Sequence, residues 1–176
     1  IGDFLPGGYE PSGAVWHPRL NKLFVVHDGG TMSSMDADGT NVTNWTITGT
    51  PDLEGITIGD PRTDFIYLGV ENPDGVIEYN FITSTVIRTF DLTGTMASSD
   101  PNSGLEALTF VPDAADTEGG LFYAGLQENG DIYRFRLPIL TSAVSTTVVH
   151  VSTFDPVSGR NDLAGLDYDR STGILY

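Results

Sequence analysis

Apolar and polar positions alternate along this chain in short runs rather than recurring at helical spacing. In Val76-Ile77-Glu78-Tyr79-Asn80-Phe81 every second side chain falls on one face, the pattern of a half-buried β-strand. Similar runs, rich in aromatic and β-branched residues, are bounded by turn signals such as Asn72-Pro73-Asp74-Gly75, Ile82-Thr83-Ser84, Glu128-Asn129-Gly130 and Asp36-Ala37-Asp38-Gly39. Asp and Gly suit the last of these, because tight hairpins demand positive φ values. The spacing predicts strands over Leu53 to Ile58, Phe65 to Val70, Val76 to Phe81 and Val86 to Leu92. A further strand is expected over Asp131 to Leu137, followed by an outer strand over Val144 to Phe154.

One unit recurs. Pro11-Ser12-Gly13-Ala14-Val15-Trp16, Leu53-Glu54-Gly55-Ile56-Thr57-Ile58, Leu105-Glu106-Ala107-Leu108-Thr109-Phe110 and Leu163-Ala164-Gly165-Leu166-Asp167-Tyr168 align, each followed by a polar turn and a second apolar run. The interval from Ser12 to Glu54 matches the roughly 40–45 residues of a β-propeller blade, and the longer intervals to Glu106 and Ala164 imply insertions. A sandwich does not predict such a repeat, and a β-helix repeats over far shorter periods. The expected fold is therefore all-β: a propeller of four-stranded antiparallel blades, about three and a half of them, at residues 10–51, 52–101, 102–156 and, in part, 157–176. Because propeller rings hold about four to eight blades, a missing C-terminal part or self-assembly is expected to complete the ring.

The formal net charge is −16, from 24 acidic and 8 basic residues, with Lys22 the single lysine. This field repels nucleic acid and anionic lipid, so neither is an expected partner. No stretch is apolar enough to span a membrane as a helix. The absence of cysteine excludes disulfides, thiolate metal sites and thiol nucleophiles. An acidic, Lys-poor composition and a start at Ile1 suit an exported, extracellular or periplasmic protein.

Candidate chemistry concentrates in the innermost strand of each unit. Ser12, Glu54, Glu106 and Ala164 occupy equivalent slots facing a common axis, with Glu10, Asp52, Gly104 and Asp162 two positions earlier. Carboxylates gathered at an axis repel unless one holds a proton or a cation sits among them, and Ca²⁺ is the natural hard cation for oxygen ligands. Alternatively, Glu54 and Glu106 could bond main-chain amides of the neighbouring blade. His27-Asp28, Glu71-Asn72 and Gln127-Glu128 form a second layer at the ends of the second strands. Asp36 to Asn41 fails as an EF-hand loop, since Ile47 stands where the bidentate Glu is required. The histidines, His17 in a turn, His27 and His150, have no zinc-ligand spacing. Pro11-Ser12-Gly13 lacks the context of a nucleophile elbow, so no catalytic residue is assigned.

Asp52-Leu53-Glu54-Gly55-Ile56-Thr57 and Gly104-Leu105-Glu106-Ala107-Leu108-Thr109 resemble the Asp-Leu-Glu-Gly strand of the phytase-like propellers, which include the SdiA-regulated and "esterase-like activity of phytase" families. Phe65 to Asn72 and Ile132 to Phe135 resemble their second and third strands. The resemblance implies channel-facing acidic residues that bind Ca²⁺, a role carried to Glu54, Glu106 and Glu71; Asp52 and Asp162 join them from the spacing. The several Lys and Arg residues that hold phosphate in true propeller phytases have no counterpart patch here. The expected function is a binding or scaffold module for a small-molecule or protein ligand, with calcium in its channel. The alternative is a calcium-dependent phosphoester or carboxylester hydrolase.

Overall fold

A computed structural model describes residues 5, 8–100, 102–157, 159 and 163–176, none of them helical. Three four-stranded antiparallel sheets follow one another along the chain. The first holds β1 (Pro11–His17), β2 (Lys22–His27), β3 (Thr31–Met35) and β4 (Thr43–Thr46). The second holds β5 (Asp52–Thr57), β6 (Phe65–Glu71), β7 (Gly75–Asn80) and β8 (Thr85–Asp91). The third holds β9 (Leu105–Pro112), β10 (Gly120–Leu126), β11 (Ile132–Arg136) and β12 (Val149–Phe154), and β13 (Tyr168–Asp169) pairs with β14 (Ile174–Leu175). Each sheet is a simple meander, and its first strand lies innermost, with β5 between β1 and β9. This is a partial β-propeller.

The core lies between sheets rather than on one side of them. Phe24, Val26, Met32 and Ile47 of the first sheet meet Leu53, Ile56, Ile66, Leu68, Ile77 and Tyr79 of the second. On its other face the second sheet presents Tyr67, Val76 and Phe90 to Leu105, Leu108, Phe110, Phe122 and Phe135 of the third. The alternation in 76–81 therefore does not mark a half-buried strand. Ile77 and Tyr79 enter one core, while Val76 and Glu78 enter the other side, and Glu78 is 2% exposed.

A buried carboxylate needs a partner, because desolvating an isolated charge costs far more than a protein's whole stability margin. Glu78 accepts a hydrogen bond from the Tyr67 hydroxyl (2.8 Å) and pairs with Arg88 (Oε2 to Nε, 2.5 Å). The Arg88 guanidinium then donates to the carbonyl oxygens of Ser142 and Ser145 in the loop between β11 and β12. That explains why the outer strand predicted from Val144 begins only at Val149: the preceding loop is held by Arg88 instead of by β11. The first and second sheets are tied by Trp45 Nε1 donating to Phe81 O (3.0 Å), and by Arg19 donating to Pro61 O, Thr63 O and Asp64.

Two further expectations need correction. His17 is not in a turn; it closes β1, is fully buried, and packs against Phe24 and Phe81. The inner strand expected over Leu163 to Tyr168 is paired only near its end. Tyr168 opposes Leu175, and Asp167 exchanges both main-chain bonds with Tyr176, so pairing reaches no further than its partner segment.

Candidate functional site

The equivalent slots found in the sequence share an unusual backbone position. In β1 the register passes from Pro11↔His27 to Gly13↔Val26, in β5 from Leu53↔Val70 to Gly55↔Gly69, and in β9 from Leu105↔Leu126 to Ala107↔Gly125. Ser12, Glu54 and Glu106 are thus each the extra residue of a β-bulge. A bulge bends the strand and re-aims the side chain it carries. The residue after it allows the inner strands to approach. A Cβ on Gly55 would lie 2.7 Å from the Leu108 main-chain nitrogen, and one on Gly13 would lie 3.0 Å from Glu54 O. Close approach also shows one strand out: Leu105 sits over Gly69 and Leu163 over Gly125, where a Cβ would come within 2.6 and 2.3 Å of their methyl carbons.

The bulge in β5 brings Glu54 to Asp52 and to Glu71 at the end of β6. These three carboxylates each offer an oxygen within 4.8 Å of the others. Asp52 and Glu54 are half-buried and Glu71 is buried. The Glu54 carboxyl is pushed up to about 8, chiefly by burial, then by the charges of Glu106 and Asp52, a hydrogen bond to Asp52, and Glu71. Glu71 is also raised, first by burial, against the opposing effect of the bond it accepts from Gly104 N (2.6 Å). Next to it Asp74, raised by burial, accepts from Leu105 N (2.7 Å).

Of the sequence-derived ligands, then, Asp52, Glu54 and Glu71 converge, and Glu106 faces them from the next inner strand closely enough to raise Glu54. Asp162 lies outside the described residues. Blade-linking amide bonds of the kind considered for Glu54 and Glu106 are made by Glu71 and Asp74. Asp74 was hidden in a segment read only as a turn. Its signal is positional: it stands where the other two sheets have Gly30 and Gly130 before the third strand. In the second layer, His27 approaches Gly8 O (3.3 Å), and exposed Glu128 binds Ser99. The described Lys and Arg side chains are engaged within the chain: Lys22 by Asp36, Arg62 by Asp60, Arg136 by Asp116, Arg134 by Ser152, Arg19 by Asp64, Arg88 by Glu78 and Arg170 by Ile58 O.

A converging set of carboxylate oxygens suits a hard metal ion. Two oxygens bound to one Ca²⁺ at about 2.3–2.6 Å lie no more than about 5 Å apart. The three carboxylates meet that limit.

The sheets and their inner-strand axis define the class, a β-propeller built of repeated four-stranded blades. Among solved structures, the chain is similar to WD40-type propellers. It matches the structure of U3-55K with a TM-score of 0.58 at 11% identity, over 93% of this chain and 44% of that one. The RRP9 WD40 repeats match with a TM-score of 0.59 at 11% identity, over 93% and 43%. A chain of the mitotic checkpoint complex matches at 0.60 and 10% identity, over 94% and 46%. The chain thus spans less than half the length of these propellers, and the likeness is one of fold. No protein-family model and no curated protein sequence matches it. Among the described residues no helix is long and apolar enough to cross a membrane.

Proposed function

We propose that this chain is part of an acidic, exported propeller that works as a binding or scaffold module, with a divalent cation, calcium by its ligand chemistry, held at Asp52, Glu54 and Glu71 and flanked by Glu106. The observation that carries this reading is the convergence of three carboxylates within 4.8 Å on one bulged strand and its neighbour. A cation would replace the repulsion that raises Glu54 with attraction, so binding and ionisation would be coupled. The scaffold role is supported by the propeller architecture itself, a fold that hosts many functions on its faces. Hydrolysis of a phosphoester is less favoured, because the described Arg and Lys side chains are already committed within the chain.

Calorimetric titration with CaCl₂ tests the site. Binding by the wild type, lost in Glu54→Gln/Glu106→Gln, with a calcium-dependent rise in melting temperature only in the wild type, is the expected result. Equal heats from both proteins, or none from either, would remove the cation from this site and leave a carboxylate cluster held by protons.

A further inference from the structure

Asp52 and Glu54 stand at the start of β5; a second feature stands at its other end, where the first strand of each unit turns into the second. A cavity of about 420 Å³ there is lined by the ends of β1, β5, β9 and β13, with Trp16, Ile58 and Phe110 in its wall. A cavity of about 320 Å³ adjoins it between the second and third sheets, with Pro112, Ile139 and Leu140. Pro61, Phe110 and Arg170 line both, so the two make one groove. Large apolar groups remain open along it: Trp16 is 42% exposed and Leu140 is 60% exposed.

The loop that carries Leu140 is fixed from two sides by buried charges. Glu118, 4% exposed, accepts the N–H groups of Leu140 (2.6 Å) and Thr141 (3.1 Å), and Arg88 holds the carbonyls of Ser142 and Ser145. An apolar side chain displayed on so firmly held a backbone is preorganised, which lowers the ordering cost of binding. The charged groups along the groove are Asp60, Arg62, Glu118, Asp167, Asp169 and Arg170. Arg62 is neutralised by Asp60, and Arg170 is turned onto the carbonyls of Ile58 and Gly59. Glu118, Asp167 and Asp169 have no ion-pair partner among the described residues, within a chain of net charge −16.

We propose that this groove receives an extended basic segment of a partner protein, seating one large apolar side chain against Trp16 and Phe110 and placing Lys or Arg beside Asp167 and Asp169. An apolar floor with an acidic rim selects that chemistry: aromatic anchoring supplies affinity, and complementary charge supplies orientation and association rate. The inference rests on reading the propeller as a binding module and is independent of the cation site.

The test is titration of the chain with the labelled peptide Arg-Lys-Phe-Pro-Arg-Lys, beside versions with Ala for Phe and with Glu for every basic residue. The basic Phe peptide is expected to bind, with affinity falling as salt is added. Replacing its Phe, or making Trp16→Ala in the protein, is expected to weaken binding about tenfold or more. Asp167→Asn, an exposed change, is expected to weaken it severalfold and flatten the salt dependence. Asp38→Asn, in an exposed turn of the first sheet, is expected to leave it unchanged, as is added chelator, so loss of the cation site and loss of the groove are told apart. Absence of binding, equal binding of the Ala or acidic peptide, or full affinity in Trp16→Ala would overturn the proposal.

Discussion

Glu71 at the end of β6 accepts the main-chain N–H of Gly104 across 2.6 Å, reaching from the second sheet to the residue just before the inner strand of the third. One carboxylate thus serves two sheets, and its neighbour Asp74 repeats the contact one residue on, at Leu105 N. Glu71→Ala leaves a buried amide unpaired and is expected to cost about 1–3 kcal/mol in urea denaturation. Glu71→Gln keeps an acceptor and is expected to lose less. Equal losses would show that charge, rather than the amide bond, is what the position needs.

The Glu54 carboxyl, raised to about 8, makes stability depend on pH. In the unfolded chain it ionises in the ordinary carboxylate range near 4.5. Its protonated form is therefore favoured in the folded state, and stability is lost as pH climbs from the carboxylate range through about 8. Without calcium, Glu54→Gln is expected to melt above the wild type at pH 9, with the gap closing by about pH 4.5. Saturating calcium is expected to reverse the order at high pH. Thermal melts over pH with and without chelator decide both points.

His17 gives the opposite slope. The ring is wholly buried, its Nε2 has no hydrogen-bond partner among the described residues, and burial lowers its proton affinity, with Arg19 adding to the effect. Unfolding lets it charge at its ordinary value near 6.5. Stability is present above that value and declines as pH falls through it. His17→Phe, matched to the ring contacts with Phe24 and Phe81, is expected to flatten the decline between about pH 7 and pH 5. An unchanged slope would move the titration elsewhere.

Glu78 and Arg88, with side chains 3% and 5% exposed, are too deep to lose one partner cheaply. Arg88→Met is expected to destabilise by about 3–5 kcal/mol, since Glu78 is left buried and unpaired. Glu78→Gln/Arg88→Met is expected to recover a substantial part of that loss. A double variant no better than Arg88→Met would show that the bonds to Ser142 and Ser145 carry the effect.

Two glycines separate close approach to backbone from close approach to side chain. Gly55→Ala drives a Cβ to 2.7 Å from the Leu108 nitrogen, whereas Gly69→Ala meets the movable methyl of Leu105 at 2.6 Å. The first is expected to destabilise more in parallel urea titrations, because a backbone cannot step aside.

The repeat was readable because it lies in residue types. Short alternating runs, polar turns and the Leu-Glu-Gly-like strand give the sheets and the slots. Asp52 and Glu54 came from the repeated slots and Glu71 from the resemblance to the phytase-like propellers; the pairing of Asp52 with Glu71 across the hairpin is what brings the three together. What it withheld depends on contacts between sheets. Glu78 reads as the polar half of an alternation until the third sheet covers it, and His17 reads as a turn residue until Phe81 arrives from the second. The same holds for Val144 to Val148, β-prone in composition yet taken from the ladder where Arg88 binds the carbonyl of Ser145. The division of labour between Glu54 and Glu71 could not be read either, because it is set by which carboxylate reaches an amide.

The bulge at Ser12, Glu54 and Glu106 separates two tasks that a strand residue ordinarily performs together. Being the extra residue of a bulge, it is not a rung of the ladder, and the bulge re-aims the side chain it carries. A hydroxyl and two carboxylates already occupy the same seat in successive copies without altering the register around it. The axis can thus be viewed as a row of interchangeable terminals on a standard frame, where recognition chemistry can be rewritten one copy at a time while the folding code is left as it stands.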